Sequence, residues 1–309
     1  MQKPGFDPGL TQQYSGRVRR VIERDGSLNV SRRGGHWRDF HLYLHLINMR
    51  WPTFFAVLLG GYLVVNTMFA VVYFALGPNE LQGDNQSTDA ARFLVGFFFS
   101  AHTLTTVGYG SIAPHGLAAN FVAMAESMVG VLGFAVATGL LFGRISRPSA
   151  KIGFSENMLI APYQDGTSLQ FRLANRRPND LMEMEARVLM MTVETREGQP
   201  IRKYQQLKLE RDQILFLALT WTVVHPIDAD SPLYGMTAQD LERAQAEFVI
   251  LMKAYDDTFS QTAFARYSYR HDEVLWGRRF APAFRVNDRG DMVVDLDRLG
   301  AVTEAAVSR

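Results

Sequence analysis

The amino-acid sequence predicts a membrane protein with two spanning helices, a shorter re-entrant helix between them, and a C-terminal all-β domain. Two long apolar runs extend from Trp51 to Gly77 and from Leu117 to Gly143, and the only charged residue in either is Glu126. The glycine-rich stretch TLTTVGYGS lies between the two runs. After Pro148 the apolar segments become short and are separated by turn residues. These three features together predict the fold class.

The composition excludes several classes of function. The chain has 309 residues, a formal net charge of +1 and no cysteine. A nearly neutral chain does not bind nucleic acid through bulk positive charge, so we expect no nucleic-acid partner. A chain without cysteine has no disulfides and no thiolate metal sites. Because the sequence also lacks a nucleophile–base spacing, a phosphate loop and a zinc motif, we expect neither an enzyme nor a bound cofactor.

Each apolar run is long enough to cross a bilayer as a helix. About 20 apolar residues span a hydrocarbon core of roughly 30 Å, and the extra length allows tilt. The alternative is a pair of buried helices in a soluble protein, because such helices can also be apolar all round.

Basic residues predict the orientation of the two spans. They flank the spans on one side of the membrane: Arg50, Arg144, Arg147 and Lys151. The connection between the spans has a single Lys or Arg, Arg92. The positive-inside rule therefore places both termini in the cytoplasm and the connection outside. We expect a multi-pass protein of the cell (inner) membrane.

The segments flanking the spans predict further elements. Aromatic residues, histidines and leucines at helical spacing from Gly35 to Ile47 predict an amphipathic helix at the inner interface, or an ordinary juxtamembrane helix. The short runs after Pro148, such as SLQFRLAN and EFVILMKAY, predict strands of a sandwich or barrel. We therefore divide the chain into a cytoplasmic segment (1–36), a pore domain (37–148) and a cytoplasmic β domain (149–309).

The segment DAARFLVGFFFSAHTLTT, before the glycines, is helix-compatible but too short to cross the membrane and return. Irregular backbone at membrane depth is tolerated only where protein or water covers it. Glycine permits backbone angles that aim successive carbonyls toward one axis. The sequence TVGYG is the known selectivity filter of potassium channels, so we identify this segment by recognising that motif and not by deriving it. We expect K⁺ at the backbone carbonyls of Thr106, Val107, Gly108 and Tyr109, with Gly110 completing the selectivity filter.

The order of interfacial helix, span, pore helix, TVGYG, span and β domain resembles the inward-rectifier potassium channels, in particular the prokaryotic branch often called KirBac. The resemblance covers about residues 37–284. It is carried by four further segments: Gly143 to Lys151, Phe171 to Val188, His225 to Gly235, and Phe264 to Phe280. It implies a homotetramer with immunoglobulin-like β domains, passive K⁺ transport, and a place among inward-rectifier and voltage-gated channel classes.

Three departures from the family pattern affect what the resemblance implies. Many members pair a pore-helix Glu with an Arg just after the filter, where this chain has His102 and, after its filter, Ser111 and Ile112. The extracellular cysteines of eukaryotic members are absent. Strong rectifiers carry an acid where this chain has Phe134. We therefore expect filter support from other residues and no strong polyamine block.

The second span contains the candidate gating residues. By resemblance, Phe142 lies at the bundle crossing, where four bulky side chains close a pore by dewetting. We expect Phe134 to face the cavity. Gly130 and Gly139 allow either bending or close helix packing. Glu126 is a candidate buttress behind the filter, with a side chain that reaches interfacial water as the alternative.

The basic residues at the inner membrane surface are candidate ligands of anionic lipid, at about 1 kcal/mol per charge. The candidates are Arg50, Trp51, Arg144, Arg147 and Lys151. The alternative is that the charges act only as a topology signal.

A second cluster, His225, Asp228 and Asp230, has metal-ligand residue types, but the prolines around it favour a turn capped by the aspartates.

The sequence thus predicts a tetrameric K⁺ channel, with lipid or a cytoplasmic signal acting on the inner gate. A membrane-anchored β module that does not conduct is the alternative from another class. A poorly selective cation channel is a third hypothesis, because the usual filter buttress is absent.

Overall fold

A computed structural model describes residues 9, 20–31, 34, 41–83, 88–146, 150–196 and 199–305. The chain forms two compact units. The helical unit is Gly34–Arg147, and the β unit combines Met1–Arg33 with Pro148–Arg309. The segments around the membrane spans therefore belong to one unit, and a short N-terminal segment belongs with the C-terminal strands.

The helical unit contains a short helix, two long helices and one helix of intermediate length. These are α1 (Leu42–Asn48), α2 (Trp51–Leu76), α3 (Asp89–Leu104) and α4 (Gly116–Ile145). The long helices α2 and α4 match the two predicted spans to within two residues at each end. Helix α1 covers the second half of the predicted interfacial helix, whose residues 35–40 lie outside the described residues.

The long helices expose apolar surface. Within the most apolar 18-residue stretch of each helix, only 17% of α2 and 11% of α4 are buried within the chain. A core helix of a soluble protein would bury most of that surface. The alternative of two buried helices in a soluble protein therefore does not describe this structure.

Helix α3 packs closely on α2 through a small residue. A Cβ on Gly96 would lie 3.3 Å from the backbone oxygen of Ala70, so any larger residue would push the two helices apart by a few tenths of an ångström. The rings of Tyr73 and Phe99 meet edge to face at a centroid distance of 5.0 Å beside the contact. Helix α3 begins at Asp89, where the Thr88 side chain caps it by accepting from Ala91 N at 3.4 Å. The short helix is thus fixed against one of the spans.

The β unit contains two five-stranded sheets. The strands of the first sheet are β6 (Leu181–Arg196), β7 (Gln199–Gln206), β8 (Gln213–Phe216), β10 (Glu247–Asp256) and β11 (Gln261–Arg270). Their order is β11-β10-β6-β7, and β8 also pairs with β6. The strands of the second sheet are β3 (Ile152–Phe154), β4 (Met158–Tyr163), β5 (Gly166–Asn175), β9 (Thr220–Ile227) and β12 (Val274–Trp276). Their order is β12-β4-β5-β3, and β9 also pairs with β5. Within these sheets β12 and β4 run parallel and the other pairs are antiparallel.

Side chains from both sheets meet in one core. Along β10, Phe248, Ile250 and Met252 are buried at alternate positions, as expected for a strand with one covered face. They share a cluster with Leu169 and Phe171 from the other sheet. Two sheets with a common apolar core form a sandwich. Two apolar helices followed by this β-rich unit confirm the predicted fold class.

Residues 20–30 lie against the sandwich. Arg20 is buried, and its guanidinium donates to the Ser268 side chain at 2.9 Å, to the Ser268 backbone oxygen at 2.8 Å and to the Glu273 carboxylate. The backbone N–H of Val21 donates to Glu247 at 3.0 Å. Sequence patterns gave no indication of this contact, because it depends on partners more than 200 residues away.

Candidate functional site

The loop after α3 has an alternating backbone. Three residues of this loop have positive φ: Thr106 (60°), Gly108 (55°) and Gly110 (78°). Val107 and Tyr109, which lie between them, do not. Positive φ is easy for glycine and costly for a branched residue such as threonine, so surrounding structure must hold Thr106 in place.

The hydrogen bonds of the loop fix where its carbonyls point. The N–H groups of Val107 and Gly108 both donate to the backbone oxygen of His102, at 2.9 and 3.2 Å. In a trans peptide the C=O points opposite to the N–H. The carbonyls of Thr106 and Val107 therefore both point away from α3. Consecutive carbonyls on one side of an extended segment are the arrangement needed to replace the hydration shell of a cation.

The end of α3 adds a favourable field at this loop. The helix ends at Leu104, immediately before the alternating segment. The aligned peptide dipoles of a helix give its C-terminal end a partial negative charge, which favours a nearby cation. In the single chain, Val107 is 51% exposed and Tyr109 is 74% exposed, so the loop lies at the surface of the helical unit.

The loop is also tied down on its far side. The short strands β1 (Leu81–Gln82) and β2 (Ala113–Pro114) pair with each other, so the segment after α2 is joined to the segment after the loop. A Cβ on Gly83, whose φ is +94°, would lie 2.4 Å from the Ser111 backbone oxygen. This close approach requires glycine and holds the end of the loop.

A buried polar network lies behind α3. Glu126 on α4 accepts a hydrogen bond from the Tyr73 hydroxyl of α2 at 2.7 Å and is also hydrogen-bonded to the Ser100 hydroxyl of α3. The Ser100 hydroxyl oxygen also lies 3.0 Å from Asn66 Oδ1, so its single proton can be donated to either Glu126 or Asn66. Asn66 donates to the Tyr62 backbone oxygen at 2.7 Å. Asn66, Ser100 and Glu126 are fully buried. The network therefore joins three helices at one level.

Helix α4 meets α3 again one turn further on. A Cβ on Gly130 would lie 2.2 Å from the backbone oxygen of Leu104, the last residue of α3. Such a distance leaves no room for any side chain, so close packing accounts for glycine at this position. Around Gly139 no atom lies within 4 Å of the corresponding position. The two candidate glycines, Gly130 and Gly139, thus have different surroundings.

The two candidate gating phenylalanines of α4 are both exposed in the single chain. Phe134 is 77% exposed and Phe142 is 70% exposed. Phe134 also lines a crevice of about 650 Å³ together with Thr106 of the loop and Val57 of α2. Phe134 and the start of the alternating segment therefore share one apolar space.

The residues predicted to bind lipid have different surroundings. Arg144 donates to the backbone oxygens of Leu46 and Met49, both at 2.7 Å. Its guanidinium lies over the ring of Trp51, at 4.5 Å from the centroid. Arg144 thus joins the end of α1 to the end of α4. Arg50 is exposed at the start of α2.

The two remaining lipid candidates are Lys151 and Arg147. Lys151 is exposed in the β unit. Arg147 lies outside the described residues.

The His225 cluster forms a turn. The buried imidazole of His225 contacts the Lys208 backbone oxygen at 2.6 Å and the Ser231 hydroxyl at 2.8 Å, and burial lowers its pKa. Asp228 accepts from the Asp230 N–H at 3.1 Å, as an aspartate that caps a turn does. Within the described part of the chain, no three His, Cys, Asp or Glu residues are placed to hold a metal ion.

The partners of Glu126 were missed at the sequence level. Tyr73, Ser100 and Asn66 all lie in apolar runs. Asn66 was the one indication of a polar network there, because an amide at membrane depth needs a hydrogen-bond partner. Which partner it has depends on how three helices pack, and no motif encodes that.

Comparison with known proteins gives matches along almost the entire chain. The family model described as "Inward rectifier potassium channel C-terminal domain" matches residues 152–309, and the model described as "Ion channel" matches residues 52–147. The inward rectifier potassium channel Kirbac3.1 of Paramagnetospirillum magnetotacticum is 36% identical over 290 residues, which cover 92% of this chain and 96% of the relative.

More distant relatives have the same description. The human G protein-activated inward rectifier potassium channel 1 is 28% identical over 98% of this chain and 65% of its own length. The human inward rectifier potassium channel 18 is 29% identical over 90% of this chain and 69% of its own length. A solved structure of the Bacillus subtilis sporulation control protein Spo0M gives a TM-score of only 0.24 at 13% identity, covering 46% of this chain and 58% of Spo0M, and carries no argument.

These matches support a membrane-embedded ion channel for potassium transport rather than an enzyme, and they give no support for the voltage-gated class that the resemblance had suggested. With two apolar helices, an alternating TVGYG loop, a β sandwich and a 36% identical relative over nearly its full length, the chain belongs to the prokaryotic inward-rectifier potassium channel family.

Proposed function

We propose that the protein is a K⁺-selective channel whose filter is Thr106 to Gly110. The observation that carries this proposal is the alternation of φ along the loop, with positive values at Thr106, Gly108 and Gly110. Together with the hydrogen bonds to His102, it turns the Thr106 and Val107 carbonyls to the same side. We infer that K⁺ binds at the backbone oxygens of residues 106–109 and moves by passive diffusion.

The filter works as a homotetramer. One loop supplies oxygens on only one side of an ion, so four copies around an axis are needed to surround it. The exposed apolar faces of α2 and α4 and the exposed Val107 and Tyr109 support this proposal, because they leave surface for neighbouring copies and lipid.

The inner gate is Phe142, and Phe134 faces the cavity below the filter. The crevice that Phe134 shares with Thr106 supports the cavity assignment. The exposed ring of Phe142 lies two turns further along α4, where four copies would narrow the pore. Gly130 provides close packing against α3, and Gly139, with open space around it, is the candidate for flexibility.

Glu126 is the buttress behind the filter. Its support is the network with Ser100 of α3, since that hydroxyl lies one turn before the end of the helix that leads into the filter. The carboxylate thus fixes the pore helix against α4, in place of the ion pair that many family members have.

Anionic lipid modulates the gate. Arg50 is exposed at the start of α2, on the proposed cytoplasmic side of the membrane, and Trp51 beside it is an interfacial aromatic residue. Arg144 joins α1 to α4, so a headgroup near it would act on both helices. Lys151 and Arg147 remain candidates from their sequence positions alone. A lipid can bias the gate only through different affinities for the open and closed states.

The chain crosses the cell (inner) membrane twice, with both termini in the cytoplasm. The distribution of basic residues supports this topology. We keep the boundaries 1–36, 37–148 and 149–309 for the N-terminal segment, pore domain and β domain.

Ion flux into liposomes tests the proposal. Purified protein is reconstituted, and uptake of Rb⁺ and Na⁺ is measured in parallel at several fractions of anionic lipid. We expect Rb⁺ uptake well above Na⁺ uptake, a change of flux with lipid fraction, and loss of uptake in Gly110→Ala, because alanine disfavours a φ of +78°. Wild-type uptake in Gly110→Ala would remove the filter assignment.

A second candidate function is a poorly selective cation channel. It is favoured by His102 and Ser111, because these residues cannot form the Glu–Arg pair of many family members. Equal Rb⁺ and Na⁺ uptake would support it, whereas no uptake of either ion would favour a membrane-anchored module that does not conduct.

A further inference from the structure

We propose that the imidazole ring of His102 positions Tyr109 and thereby sets the ion selectivity of the filter. The two rings meet edge to face, with a centroid distance of 4.8 Å and an interplanar angle of 89°. Edge-to-face contact is the preferred geometry of an aromatic pair, since the positive edge of one ring meets the negative face of the other. The inference rests on the proposed function, because it gives Tyr109 a place in a conducting filter.

His102 contacts three consecutive residues of the filter loop. Its backbone oxygen accepts from the N–H groups of Val107 and Gly108, and its ring contacts Tyr109. The two backbone contacts are available to any residue at position 102. The ring contact is specific to an aromatic residue, so it is the part that the choice of histidine adds.

A side-chain contact matters at Tyr109 because both of its neighbours in the chain are glycines. Gly108 and Gly110 flank Tyr109, both with positive φ, and no neighbouring atom lies within 4 Å of the Cβ position of either glycine. Glycine has the widest range of backbone angles of any residue. Contacts of the Tyr109 side chain therefore limit how far its peptide group can turn.

The contact also accounts for the departure from the family pattern. A glutamate at position 102 needs a cationic partner after the filter, and this chain has Ser111 and Ile112 there. A ring-to-ring contact needs no partner beyond Tyr109, which the filter motif already supplies. His102 is thus a positioning residue, since it acts on the ion through Tyr109.

The test compares three substitutions at one position in full-length protein reconstituted in liposomes. His102→Ala removes the ring, His102→Gln keeps a polar side chain without a ring, and His102→Phe keeps a ring without the ionisable nitrogens. His115→Ala is the matched control, because His115 is an exposed histidine at the start of α4. Size-exclusion chromatography in detergent checks that each variant assembles as the wild type does.

We expect the ratio of Rb⁺ to Na⁺ uptake to fall about 2- to 10-fold in His102→Ala and His102→Gln, the range that corresponds to one aromatic pair. His102→Phe and His115→Ala should keep the wild-type ratio. Rescue by phenylalanine is the decisive result, since a general loss of packing would not depend on ring geometry.

Two results would overturn the inference while leaving the channel function intact. One is a wild-type ratio in an assembled Ala or Gln variant. The other is a reduced ratio of Rb⁺ to Na⁺ uptake in assembled His102→Phe, which would assign the effect to the imidazole nitrogens. This second result can be measured even if the Ala and Gln variants fail to assemble. A wild-type protein that shows no preference for Rb⁺ would instead overturn the proposed function, and this inference with it.

Discussion

The two units of the molecule bury carboxylates in different surroundings. In the β unit, Glu273 is paired with the guanidinium groups of Arg20 and Arg24, the latter at 2.5 Å. In the helical unit, the hydrogen bonds of Glu126 are made with the hydroxyl groups of Tyr73 and Ser100. An ion pair that loses one partner leaves a buried charge, whereas a hydroxyl contact that is lost leaves only an unpaired oxygen. The β unit should therefore be the more sensitive of the two to single substitutions.

The largest effect is expected from Glu273→Gln. The substitution keeps the shape of the side chain but removes the carboxylate charge that is paired with Arg20 and Arg24, and breaking a buried pair costs about 3–5 kcal/mol. The free energy of unfolding of the β unit can be followed by the fluorescence of buried Trp221 during chemical denaturation in detergent.

The control for this prediction is Arg278→Gln, which removes a more exposed ion pair with Glu304 and should cost at most about 1 kcal/mol. Equal losses in the two variants would show that burial of the Glu273 pair does not matter.

The second effect concerns the contact between α4 and α3. Gly130→Ala should destabilise the helical unit by about 1–3 kcal/mol, because the added methyl group overlaps the Leu104 backbone and forces the helices apart. Gly139→Ala is the matched control, since space is open there and alanine favours the helix by about 0.5–1 kcal/mol. SDS titration followed by circular dichroism gives both values, and a stable Gly130→Ala variant would contradict the close packing.

A smaller effect is expected from Tyr73→Phe. The change removes one hydroxyl that donates to Glu126 and keeps the ring that packs on Phe99. We expect a loss of about 0.5–1.5 kcal/mol in the same SDS titration, the usual net value of one hydrogen bond. A loss as large as that of Glu273→Gln would mean that the hydroxyl network is as sensitive as the ion pair, which would remove the contrast between the units.

The smallest effect is a pH dependence of the β unit. Burial raises the pKa of Glu247, while the N–H of Val21 partly opposes this shift. A carboxyl with a raised pKa in the folded state stabilises the fold below its unfolded pKa, and this contribution is lost as the pH rises through the folded pKa. Glu247→Gln should therefore flatten the decline of the free energy of unfolding above about pH 4.5. An unchanged slope would show that Glu247 does not titrate differently in the folded state.

The sequence predicted the elements that depend on local composition and motif. The spans follow from long apolar runs, the filter from TVGYG, and β10 from the run EFVILMKAY. Contacts between distant residues could not be predicted in this way. Glu126 was a candidate buttress, but its partners depend on the packing of three helices. The run QILFLALTWTVV also contains two strands, β8 and β9, that belong to different sheets, and its apolar pattern does not reveal the turn between them.

The docking of Arg20 has a consequence for biosynthesis. Arg20 and Glu273 are 253 residues apart, and both spans lie between them. At about 5–20 residues per second, the ribosome adds Glu273 roughly 10–50 s after Arg20. During that interval residues 20–30 have no sandwich to dock on, while α2 and α4 are already entering the membrane. The N-terminal segment therefore docks late. Arg20, which is buried in the folded protein, stays solvated until Glu273 and the strands around it have been synthesised.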